Sequence, residues 1–130
     1  MPPWWMPNVA KRRRAGRRRN PTREIVTMIK VSVLYPNTPD STFDVDYFVN
    51  SHIPMIQGKL GAACKGVELE IGLAGVQPGE PPSYIAMGHL HFDTVGAFEA
   101  AFGAHAEALL ADIPNYTNTQ PVFQVSEVRI

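Results

Sequence analysis

The chain has 130 residues, 45% of them hydrophobic and 18% charged, which suits one domain of ordinary size and excludes a wholly disordered protein. Its formal charge of zero hides two opposite parts: residues 1–27 carry eight Lys and Arg against Glu24 alone, net +7, and residues 28–130 carry four against eleven acids, net −7. An acidic body argues against a nucleic-acid-binding domain, the single Cys64 excludes an intrachain disulfide framework and a Cys-rich zinc site, and no apolar run is long enough to span a membrane.

Residues 1–27 show neither helical nor strand periodicity, and Pro2, Pro3, Pro7 and Pro21 interrupt them. After Arg19 comes NPTREIVT, not the apolar stretch an export signal needs. The segment reads as a disordered basic extension or as the product of a start placed too early, with Met28 opening the patterned body. The expected location is the cytoplasm.

From Met28 onward the pattern is regular. Ile29 to Tyr35 is rich in β-branched residues and mostly alternates, so it reads as a strand ended by Pro36. PNTPDST is a loop, and Ser41 and Asp44 resemble a capping box. In the helix expected next, Phe48, His52, Ile56 and Leu60 form one stripe, Gly61 stops it, and Pro54 predicts a kink or break near His52. Val67 to Ile71 alternates apolar with acidic, a strand with one wet face. GVQPGEPP is a turn-rich loop, and Ser83 to Asp93 is a third strand. Asp93 or Thr94 caps a second helix, with Val95, Phe98, Phe102, Leu109 and Ile113 as its buried stripe. A polar loop from Asn115 to Thr119 leads to a fourth strand from Val122 to Ile130.

The order strand, helix, strand, strand, helix, strand predicts an α+β fold of ferredoxin-like βαββαβ type. In it, a four-stranded antiparallel sheet carries two helices on one face. The other face is not uniformly polar, so it needs a cover. The simplest cover is a second copy, giving a homodimer through the open sheet face.

Four segments, IKVSVLYPNT, FDVDYFVNSHIPMI, HLHFDTVGAFEAAF and DIPNYTNTQPVFQVSEV, together resemble the EthD family. That family is named for a protein encoded beside an ethyl tert-butyl ether-degrading oxygenase system and belongs to the dimeric α+β barrel superfamily. The resemblance covers residues 28–130. It implies a homodimer with a small-molecule cavity in each subunit, no metal and no organic cofactor, and chemistry such as isomerisation, cyclisation or dehydration. The oxidoreductase label carried by many relatives comes from the operon that named them.

His52 is the first candidate catalytic residue. It lies on the Phe48/Ile56 stripe facing the sheet, imidazole titrates near neutrality, and in the family a helical His before an apolar residue and Pro occupies this place. The plainer alternative is a core histidine bonded to a carbonyl. Tyr116 could orient a substrate carbonyl or relay a proton; alternatively it anchors its loop. Tyr35, Phe48, His89, His91 and Gln124 are candidate pocket residues. His89 and His91 share a strand face, but a zinc site needs further ligands, so no metal is expected. Cys64 reads as a small buried hydrophobe and His105 as an edge residue of the Ala-rich helix. No phosphate-binding glycine loop or nucleophile elbow occurs.

The function expected is cofactor-independent proton transfer on a small, partly apolar organic compound, or an oxidoreductase-associated catabolic role. Its rival is a non-catalytic metabolite-binding or accessory protein for an oxygenase system. A third reading, haem handling as elsewhere in the superfamily, predicts a Soret band on titration with haemin.

Overall fold

Strand β1 (Met28–Pro36) runs through the middle of a four-stranded sheet. In the computed structural model, residues 28–130 are described; the expectations for residues 1–27 lie outside them. Strands β2 (Gly66–Ile71), β3 (Tyr84–Phe92) and β4 (Val122–Val128) complete the sheet in the order β2-β3-β1-β4. All three pairings are antiparallel. This is the ferredoxin-like arrangement that two interlocked strand–helix–strand halves generate.

The pairing register sorts the side chains by face. Ile29 stands opposite Phe92, Val31 opposite both Leu90 and Val125, and Leu90 opposite Val67. These residues face the helices, and Ile29, Val31, Leu90 and Phe92 are buried. Lys30, Ser32, His89, His91, Glu68, Gln124 and Ser126 pair on the opposite face. A two-residue period leaves no other option.

The first helical passage has three parts. Asp44 caps the short α1 (Val45–Tyr47) by accepting from the Tyr47 N–H. A π-helical turn follows over Phe48–His52, in which the Ile53 N–H reaches back to the Phe48 carbonyl. Then comes α2 (Ile53–Leu60), with Pro54 in its first turn. The break expected near His52 therefore exists, and its form follows from proline chemistry. Pro54 has no N–H to offer and its ring crowds the carbonyl one turn back; a widened turn relieves both. Phe48, His52, Ile56 and Leu60 are all buried, as their spacing requires. Gly61 ends α2 at φ 63, a backbone angle that an L side chain disfavours.

Two expectations need correction. Ser41 does not cap the helix; its Oγ accepts from the Thr38 N–H and donates to the Thr38 carbonyl, closing the preceding turn. The second helix is not continuous. It divides into α3 (Val95–Gly103), capped by Thr94, and α4 (Ala106–Ala111), with His105 at the junction. Gly103 gives the helix no side chain to hold there, and Phe102 and Leu109 remain buried on either side. Phe92, Phe98 and Phe102 form an aromatic column between sheet and helix, with centroid separations of 5.3 and 5.4 Å.

Candidate functional site

The π-helical turn delivers His52 into the interior, and the end of α4 delivers Asp112 to meet it. His52 Nδ1 lies 2.8 Å from Asp112 Oδ2. With Asp112 ionised, Nδ1 is the donor, which leaves Nε2 as the lone-pair nitrogen. The other carboxylate oxygen, Oδ1, accepts from the Tyr47 hydroxyl at 2.7 Å and from the Asn115 amide at 2.9 Å. Asn115 belongs to a 3-10 turn, Ile113–Asn115, just past α4.

Electrostatics follow from this geometry. Burial lowers the His52 pKa below the ordinary imidazole value, against the opposing pull of Asp112. Burial acts to raise the Asp112 carboxyl, but the hydrogen bonds from Asn115, His52 and Tyr47 together bring it below its ordinary value. The pair therefore rests as neutral imidazole and carboxylate near pH 7.

Next to the pair sits an aromatic cluster. The Tyr116 ring is 4.6 Å from the His52 ring, and Phe48 stacks on His52 at 6.0 Å. The Tyr116 and Tyr35 hydroxyls are 2.7 Å apart. Each of these two tyrosines is 3% exposed. Burial pushes Tyr35 up to about 12 and raises Tyr116 further. Both phenols stay protonated at any physiological pH, so they can donate hydrogen bonds but do not act as bases. Phe43 packs edge-on against Tyr35 and Tyr116.

One hollow adjoins this region and a second lies elsewhere beneath the helices. A cleft of about 380 Å³ lies between the loop after β1 and the loop before β4, lined by Phe43, Asp44, Asn115, Tyr116, Thr117 and their neighbours. A hollow of about 60 Å³ lies between sheet and α3, lined mainly by Val31, Leu90, Phe98, Phe102 and Phe123. His52 borders neither; its ring is packed between Phe48 and Tyr116. Tyr116 is the residue that touches both the cleft and the imidazole. Neither of these two hollows is lined by a histidine, so neither offers haem an imidazole ligand.

Comparison with known proteins follows the same lines. No family profile and no curated protein matches the chain. Among solved structures, an EthD-like protein from Ralstonia eutropha JMP134 is 43% identical, with a TM-score of 0.77 over 80% of this chain and 94% of that one. The chain belongs to the EthD-like family. An EthD family protein from Bacillus halodurans C-125 shares the fold at 16% identity, with a TM-score of 0.61 over 78% of this chain and 99% of its own. A dimeric protein of unknown function with a ferredoxin-like fold from Bacteroides fragilis NCTC 9343 gives 15% identity and 0.51 over 78% and 96%.

In this EthD-like chain, four of the seven sequence candidates come together: His52, Tyr116, Tyr35 and Phe48. His89 and His91 lie on the other face of the sheet; Gln124 pairs with Ser32 in that register on the edge strand but also borders the small hollow beside Phe98 and Phe102. On that other face Ser32 Oγ is 2.9 Å from His89 Nδ1, His89 Nε2 is 3.5 Å from Glu70 Oε1, and His91 Nε2 is 3.3 Å from Glu68 Oε1. One pocket cannot hold all seven without passing through the sheet. Among the described residues, no group of three or more His, Cys, Asp or Glu is arranged to hold a metal ion. Half-buried Cys64 makes a weak bond to the Gly66 carbonyl at 3.4 Å.

Sequence reasoning missed Asp112, Tyr47 and Asn115. Asp112 is 60 residues from His52, a separation no local pattern bridges. A signal was nonetheless present: Asp112 and Asn115 flank Ile113-Pro114 in the segment that carries Tyr116, and Tyr47 precedes His52 in the other family-like segment.

Proposed function

We propose that this EthD-like protein binds a small, partly apolar carbonyl compound and moves a proton on it without a cofactor, with His52 Nε2 as the base. The observation that carries this reading is the 2.8 Å bond between His52 Nδ1 and Asp112 Oδ2. A carboxylate on one ring nitrogen fixes the tautomer and turns the other nitrogen into an oriented acceptor. In this reading Tyr116 donates a hydrogen bond to the substrate carbonyl, where charge develops as the adjacent C–H is deprotonated. The proton passes from carbon to Nε2 and returns from Nε2 to another atom of the same compound, an isomerisation, or to a departing hydroxyl, a dehydration. In this reading substrate enters by the cleft that Tyr116 lines and reaches Nε2 through a shift of the Tyr116 ring, which covers the imidazole.

The test is hydrogen–deuterium exchange at the acidic carbon of a panel of enolisable β-keto esters and lactones, followed by proton NMR in D₂O. The wild type accelerates exchange of at least one member, and His52→Ala, folded, does not. Equal exchange by the two proteins refutes the assignment.

The burial of His52, 3% exposed, favours a second reading: a non-catalytic metabolite-binding or accessory protein of a catabolic system. It expects saturable binding with no exchange.

In either reading we propose a cytoplasmic homodimer that closes through the uncovered sheet face. That face supports the assembly by its mixed character, with Leu34, Ile85 and Met87 beside Ser32 and the two histidines, and by the description of the Bacteroides relative as dimeric. Among the described residues, no helix is long and apolar enough to cross a membrane.

A further inference from the structure

Asp112 is held by both of its oxygens, and only one faces the imidazole. Oδ2 takes the His52 bond; Oδ1 takes the Tyr47 hydroxyl and the Asn115 amide. Tyr47 is itself fixed twice. Its backbone N–H is tied to the Asp44 side chain, and its ring stacks on Tyr116 at 6.2 Å and 20°. The phenol therefore reaches Asp112 from a capped helix start rather than from a mobile side chain.

Donors on a carboxylate stabilise its charge and reduce the pull it exerts on a neighbouring proton. We propose that Tyr47 is a positioning residue that sets the basicity of His52 through Asp112, restraining the carboxylate so that the imidazole stays neutral, with its proton on Nδ1 and Nε2 available. This rests on the reading of His52 as the base. Among the described residues, the polar groups that face the His52–Asp112 pair are Tyr47, Asn115 and Tyr116, with Tyr35 behind Tyr116; none is cationic. Asp112 is thus the one charge beside the ring, and what bonds to Asp112 governs the ring. Hydrogen bonding to Asp112 also raises the Tyr47 pKa, so this donor keeps its proton across the working range.

The experiment is a titration of the intact protein by long-range proton–nitrogen NMR, which reports the tautomer and midpoint of each histidine. The chain has four, and His52→Gln identifies the His52 signals. In the wild type the proton is on Nδ1. In Tyr47→Phe the His52 midpoint rises by about 0.5 pH unit, a fraction of the roughly 1–3 units that a whole neighbouring opposite charge produces. Asn115→Ala, which removes the second donor to the same oxygen, moves it in the same direction and serves if Tyr47→Phe fails to fold. Asp112→Asn moves it downward, because burial then acts unopposed. An unchanged or lowered midpoint in a folded Tyr47→Phe or Asn115→Ala overturns the proposal, and so does a wild-type proton on Nε2. The two readings separate cleanly. A shifted midpoint in a protein that exchanges no substrate removes the base and keeps the coupling; exchange lost in His52→Ala with a midpoint indifferent to Tyr47 does the reverse.

Discussion

The buried phenol pair offers the sharpest energetic test of this interior. Tyr35 and Tyr116 come from β1 and from the loop before β4, 81 residues apart, and their hydroxyls meet at 2.7 Å. Among the described residues neither hydroxyl has another hydrogen-bond partner. Changing Tyr116 to Phe leaves the Tyr35 hydroxyl buried and unpaired, which costs about 1–3 kcal/mol; Tyr35→Phe does the same to Tyr116. Changing both removes two polar groups while keeping two rings of nearly the same shape, so the double variant is close to neutral. Ring contacts of the two tyrosines with Phe43 and Phe48, at 5.2–5.6 Å, persist in all three. For a body of this size each kcal/mol shifts the thermal midpoint by roughly 4–8 °C. Urea unfolding of the four proteins, followed by circular dichroism and near-ultraviolet absorbance, gives the double-mutant cycle. Two single losses that simply add in the double variant would refute the pairing, because additivity means that each phenol is satisfied elsewhere.

Two other outcomes are expected. Stability falls as pH drops below about 6.5, because the lowered pKa of His52 means that the unfolded chain binds a proton the folded chain resists; this contribution is complete above the unfolded value and lost through the window beneath it. Urea midpoints between pH 5 and 7.5 show the slope in the wild type and its loss in His52→Gln. Asp44→Ala removes the cap of α1 and costs about 1 kcal/mol; a thermal midpoint unchanged from the wild type refutes that role.

The order of elements was legible because each carries its own period. Phe48, His52, Ile56 and Leu60 advertise a helix face by spacing alone, and Glu68 and Glu70 mark the wet side of β2. Pro54 even announced the irregularity beside His52, although the proline rule does not distinguish a kink from a π turn. The Ser41 cap failed because Ser, Thr and Asp side chains all satisfy backbone N–H groups in loops, and two such residues three apart do not say which one opens the helix. The division at Gly103 was missed because the apolar stripe continues across it. The site was half legible. His52 and Tyr116 drew notice as chemistry-bearing side chains in patterned segments, whereas Asp112 looks like any helix-terminal acid until the chain folds back over 60 residues.

The strands that carry the aromatic pocket on one side carry the Ser32–His89 bond on the other, so the sheet is a partition with separate furnishings. Alternate residues of β1 and β3 answer to different neighbours. Substitutions on the uncovered face can therefore accumulate without disturbing the aromatic cluster and the His52–Asp112 pair behind it, and the reverse holds as well.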